Sequence, residues 1–139
     1  MKTLNKVITG FLIFVGLAFI NVAVQAIANP QAVFDNVNVT LGNVSALNSV
    51  RANYGFVNLF LGLFMVYGAF KMKREALLIT SLFCWGFVVG RVYSIAIEGA
   101  PNAFVSQWLV TELILGILAV ILLVLINKSR TMLLQPNSL

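Results

Sequence analysis

VSQWLVTELILGILAVILLVLI, residues 105–126, holds a single charged residue, Glu112. A bilayer's hydrocarbon core is about 30 Å thick, and a helix of about 20 apolar residues crosses it. The stretch therefore reads as a transmembrane helix. Working back toward the N-terminus, three more runs of this kind appear, at about 76–97, 52–70 and 7–28. The breaks between them are distinct. Asn29-Pro30 ends the first run. Lys71-Met72-Lys73-Arg74 separates the second and third, and Gly99-Ala100-Pro101-Asn102 the third and fourth. The spacing predicts an all-α membrane protein: one integral membrane domain over residues 1–139, built as a four-helix up-and-down bundle.

Composition points the same way. Only 9% of the 139 residues are charged and 60% are hydrophobic. A soluble domain carries about 25% charged residues to solvate its surface. The formal charge of +5 comes from residues that flank apolar runs, so they read as topology signals and not as a nucleic-acid surface. Lys2, Lys6, Lys71, Lys73, Arg74, Lys128 and Arg130 fall on one side. Asp35 and Glu98 fall on the other, with Arg51 at its edge. By the positive-inside rule both termini are expected in the cytoplasm. The first run also has a basic start and a Val24-Gln25-Ala26 step resembling a signal-peptidase site. Its length exceeds a usual signal core, so a retained helix is expected.

Cofactors are not expected. There is no histidine, and Cys84 is the single cysteine, set in an apolar run as a small buried hydrophobe. Residues 29–50 form the long outer connection. Leu41-Gly42-Asn43 reads as a turn, giving either a small hairpin or a short interfacial helix. Asn38-Val39-Thr40 and Asn43-Val44-Ser45 match glycosylation acceptors, a pattern that arises by chance in an Asn-rich loop. Met132 to Leu139 reads as a tail.

The residues that do not belong in lipid mark the candidate site. Arg91 and Glu112 each lie about seven residues from the outer ends of their helices, roughly 10 Å deep at 1.5 Å per residue. Asn21 and Asn58 are expected at similar depth, so each helix contributes one polar residue to one layer. Helical spacing groups Arg51, Tyr54, Gly55, Asn58 and Gly62 on one stripe. It also groups Arg91, Ser94 and Glu98, then Trp108, Glu112 and Gly116, then Asn21 and Gln25. A lone charge facing lipid costs about 2.5–3.5 kcal/mol or more. The stripes are therefore expected to turn inward, with Arg91 and Glu112 forming a buried ion pair that Arg51 and Glu98 extend. Gly86 and Gly90 form a GxxxG step before Arg91, expected to pack closely on a neighbouring helix. Tyr54, Tyr93 and Trp108 read as an aromatic belt.

These residues also carry a family resemblance. Arg51-Ala52-Asn53-Tyr54-Gly55 opens the second helix, with Gly62 beyond it. Gly90-Arg91 comes late in the third, followed by Glu98-Gly99-Ala100-Pro101. Glu112-Leu113 lies inside the fourth. The ordered set, over about residues 51–126, resembles the small bacterial membrane proteins of the DUF4345 family. The chain departs from that pattern at Phe56, where a second glycine is usual, and at Glu98, where Asp is common. The resemblance implies four helices in a bacterial inner (cytoplasmic) membrane and supplies no activity.

Three functions fit these residues. The first is an accessory or scaffold subunit of a larger membrane-protein complex or homo-oligomer. The second is a binding protein or carrier for a lipid or other amphiphile. Its ligand-binding candidates are Arg51, Tyr54, Asn58, Arg91, Glu98 and Glu112. The third is a membrane-embedded enzyme with Glu112 as acid or base, which ranks below the others because no nucleophile–base arrangement or cofactor motif is visible.

Overall fold

The computed structural model describes residues 2–134, and side chains as far as residue 129. Five helices make up the described chain, with no strand among them: α1 (Lys2–Ala28), α2 (Pro30–Asp35), α3 (Val44–Lys71), α4 (Lys73–Glu98) and α5 (Ala103–Leu134). Four are long and apolar enough to cross a membrane, and α2 is a short helix lying between two of them. Only 28% to 33% of each span is buried inside the molecule. The outward remainder is rich in large apolar residues such as Phe14, Leu17, Phe60, Phe70, Leu82 and Val89. That surface is compatible with lipid and not with water. The chain is a multi-pass membrane protein.

Local chemistry sets the helix boundaries. Asn29 is extended ahead of Pro30, and its side chain accepts a hydrogen bond from the Ala32 amide at 3.3 Å. A residue before proline disfavours helix, while proline suits a first helical position, so α1 stops and α2 starts at one step. Gln31 then pins the following segment. Its amide donates to Asp35 Oδ1 and to the Val39 carbonyl, and its oxygen accepts from the Leu41 amide. The 29–50 connection thus forms a short helix rather than a hairpin. Asn43 caps α3 by accepting from the Ala46 amide at 2.9 Å. As a result α3 begins well before position 52, where the apolar run was expected to start.

Residues Arg51–Val57 wind as a wide π-helical turn inside α3. Such turns insert an extra residue and shift the faces on either side of it. Between α3 and α4 only Met72 is non-helical, so the basic connection shrinks to a single residue. Arg74 fastens this corner to α5 through Asn127 Oδ1 at 2.9 Å. At the far end of α4, Gly99 takes φ +94, a left-handed conformation that side chains disfavour, and the chain turns. Asn102 caps α5 by accepting from the Val105 amide, and its own amide donates to the Asn36 carbonyl beyond α2. The helix of α5 continues to Leu134, past position 126 and through the start of the expected tail. Residues 135–139 of that tail lie outside the described residues.

The four long helices share one core at the end that carries the basic residues. Ile8 and Leu12 of α1 meet Ala69 of α3, Ala76 and Leu77 of α4, and Leu122 and Ile126 of α5. Toward the other end, the contacts are closest within two antiparallel pairs, α1 with α3 and α4 with α5. In the first pair the backbones touch. A Cβ placed on Gly16 would meet the Gly62 carbonyl at 2.8 Å, and one on Gly62 would meet the Gly16 carbonyl at 2.7 Å. The edge-to-face rings of Phe19 and Phe83 connect the two pairs.

Candidate functional site

Arg91 and Glu112 lie about equally far along the chain from the Gly99–Asn102 turn, so antiparallel pairing sets them level on α4 and α5. The guanidinium binds the carboxylate at two points. Nε donates to Oε2 at 2.6 Å and Nη2 donates to Oε1 at 2.9 Å. Glu112 is 8% exposed, while the Arg91 side chain is 26% exposed. The guanidinium carbon also lies 5.8 Å from the centre of the Phe87 ring. Two-point pairing fixes the fork of the arginine as well as neutralising it. In an apolar surrounding each charge needs the other, because an unpaired one costs several kcal/mol.

Arg91 is not used up by this pair. Its Nη1 has no hydrogen-bond partner among the described residues, and no buried side-chain nitrogen or oxygen there lacks one. Nη1 is therefore accessible. Beside it runs a half-open groove of about 170 Å³, lined by Gly90, Arg91, Ser94, Ile95, Gly99, Pro101 and Val105. Gly90 keeps one wall flat, since a Cβ there would meet nothing within 4 Å. The left-handed Gly99 and Pro101 close the end at the turn. On the same face of α4, the groove-lining Ser94 donates to Glu98 at 2.5 Å.

The other candidates are placed differently from the sequence expectation. Arg51 does not extend the ion pair: its Nε donates to the Ile27 carbonyl at 3.3 Å, closing the end of α1. Glu98 is occupied by Ser94, and no Arg51–Glu98 pair forms. Asn58 is buried, but its amide donates to the Tyr54 carbonyl at 3.1 Å within its own helix, at the edge of the π turn. Tyr54 is half exposed and packs edge-on against Phe34 of α2 at 5.1 Å. Asn21 and Gln25 face outward, so α1 contributes nothing to the buried polar layer. Of the four expected contributions, Arg91 and Glu112 pair across helices, Asn58 is buried but bonded within its own helix, and Asn21 faces outward.

Gly86 and Gly90 also differ from expectation. Both are exposed, and neither has any neighbour within 4 Å of a would-be Cβ. The close helix contact is made by Gly16 and Gly62 instead. Gly90 opens the groove rather than packing a helix. The only signal of this in the sequence is its position directly before Arg91. Cys84 is buried as expected, against Gly116 of α5.

Comparison with known families adds one finding. The model of DUF4345, a domain of unknown function, matches residues 7–123, which takes in α1 as well as the region carrying the quoted motifs. No curated protein and no solved structure matches the chain.

Proposed function

This chain belongs to the DUF4345 family, which brings no activity with it, and from the chain's own geometry we propose that it binds the polar head of an amphiphile. The observation that carries this reading is the accessible Nη1 of Arg91 beside a groove set in an otherwise apolar exterior. Glu112 holds the guanidinium in place before any ligand arrives, so little ordering is needed on binding. A planar, permanently charged fork suits phosphate or carboxylate oxygens. The positive-inside rule supports a groove at the non-cytoplasmic end of the bundle, in the outer half of a bacterial cytoplasmic membrane.

The test fills the groove without touching the ion pair. A Cβ at Gly90 would meet nothing within 4 Å and the residue is exposed, so thermal unfolding of Gly90→Leu in mild detergent should match the wild type. The lipid that stays with the purified protein, counted by native mass spectrometry, should fall by about tenfold, equivalent to about 1.4 kcal/mol. An unchanged lipid count in a stably folded Gly90→Leu protein would remove this reading.

A second reading, an accessory subunit, rests on a different observation. Gly86 is exposed within a span, and the outward Asn21 side chain has no hydrogen-bond partner among the described residues. Small residues and amides are what helix–helix contacts in membranes use. Copurification of a partner that Gly86→Leu releases would favour it. The acid–base role for Glu112 has less support, because both of its oxygens accept hydrogen bonds from Arg91.

A further inference from the structure

Resting on that reading, we infer that the headgroup taken by the groove carries both a phosphate and a primary ammonium, as in phosphoethanolamine lipids. Glu112 neutralises Arg91 through two hydrogen bonds. Close to the groove, Glu98 has no cation partner among the described residues, and its bonded partner Ser94 lines the groove. A simple anion would meet Arg91 but also the field of Glu98. A simple cation would meet Glu98 but also Arg91. A ligand carrying both charges satisfies both residues and asks the groove for no net charge.

Arg91 and Glu98 lie on one face of α4, seven residues and therefore roughly 10 Å apart. Side chains on a helix lean toward its N-terminus, which places the guanidinium deeper in the span. Glu98 is the last residue of α4 and so lies nearest the end of the span. A phospholipid in that leaflet presents acyl chains, then phosphate, then amine, in the same inside-to-boundary order. The phosphate falls at Arg91 Nη1 and the ammonium at Glu98. The acyl chains continue along the exposed Phe87, one helical turn deeper on the face of Arg91.

Ser94 gives Glu98 one donor, and the carboxylate has capacity for more. A primary ammonium brings three N–H donors, whereas a trimethylammonium brings none. A phosphoglycerol head has no cation for Glu98. The groove therefore ranks a phosphoethanolamine lipid above phosphocholine and phosphoglycerol lipids.

The experiment reconstitutes the full chain in vesicles holding equal parts of phosphatidylethanolamine, phosphatidylcholine and phosphatidylglycerol. The protein is then extracted in mild detergent and its retained lipids are counted by native mass spectrometry. Wild type should retain phosphatidylethanolamine about tenfold over either competitor. Glu98→Gln, on an exposed rim, should fold normally and lose that preference, with phosphatidylglycerol rising to parity or above. Water-soluble phosphoethanolamine at millimolar concentration should leave the retained lipid in place if the lipid is the ligand. Its displacement of the lipid would overturn the lipid source while keeping the headgroup chemistry. Equal retention of the three lipids, or an unchanged preference in Glu98→Gln, overturns the inference. If Gly90→Leu still empties the groove in that case, the broader amphiphile reading stands. If Gly90→Leu retains lipid as wild type does, both fail.

Discussion

The two helix pairs solve the same packing problem with opposite uses of glycine. In α1 and α3, Gly16 and Gly62 remove side chains so that backbones can touch, and that space is fully taken. In α4 and α5, Gly116 packs against Cys84 and Trp85, but toward the groove the pairing is held by Arg91 and Glu112, and Gly86 and Gly90 face open space. One pair is closed by shape, the other by charge with room left beside it. Close packing leaves nothing for a ligand to do, whereas a charge pair with an accessible N–H and an adjacent groove does.

Breaking the charged pair should have the largest effect. Glu112→Ala leaves Arg91 unpaired in an apolar surrounding and should cost about 3 kcal/mol in a mixed-detergent unfolding titration. That is the low end for a broken buried pair, because Arg91 is partly exposed. Replacing both residues, Arg91→Met with Glu112→Leu, should recover stability to within about 1 kcal/mol while abolishing ligand retention. A double variant that stays as unstable as the single one would mean that the pair is not held by charge alone.

In the other pair, Gly62→Ala drives a methyl into the Gly16 carbonyl and Ile20, and should cost about 1–3 kcal/mol in the same titration with ligand retention intact. Asn58→Ala removes the buried bond to the Tyr54 carbonyl and should cost about 1 kcal/mol. The smallest change tests the contrast most sharply. Gly86→Ala and Gly90→Ala should be neutral or stabilising by up to about 1 kcal/mol, since alanine favours helix and nothing obstructs it. A marked loss of stability in either would show that those glycines do pack closely.

Much of the architecture was legible in the sequence because lipid leaves few options. Twenty apolar residues with a charged or Gly/Pro break at each end read as a span with no further information. The Arg91–Glu112 pair was legible for the same reason: two deep charges of opposite sign have no cheaper place to go. What failed was rotation about helix axes. Periodicity groups Asn21 with Gln25 but does not say which neighbour, if any, that face meets, and it faces outward. The π turn at Arg51–Val57 moves Arg51 and Tyr54 out of phase with Gly62, so a stripe drawn at ordinary helical spacing misaligned them. The early start of α3 was hidden because Val44–Val50 is rich in Ser and Asn. Its signal was Asn43 as a cap, a residue that also fitted a turn.

The single-residue joint at Met72 has a consequence for how the chain is made. With one residue between them, α3 and α4 have no slack to enter a bilayer one after the other. They enter as one antiparallel hairpin whose tip carries Lys71, Lys73 and Arg74, so these three charges lie together on one side of the bilayer. The strongest constraint on the protein's biogenesis thus lies at the opposite end of the molecule from its groove.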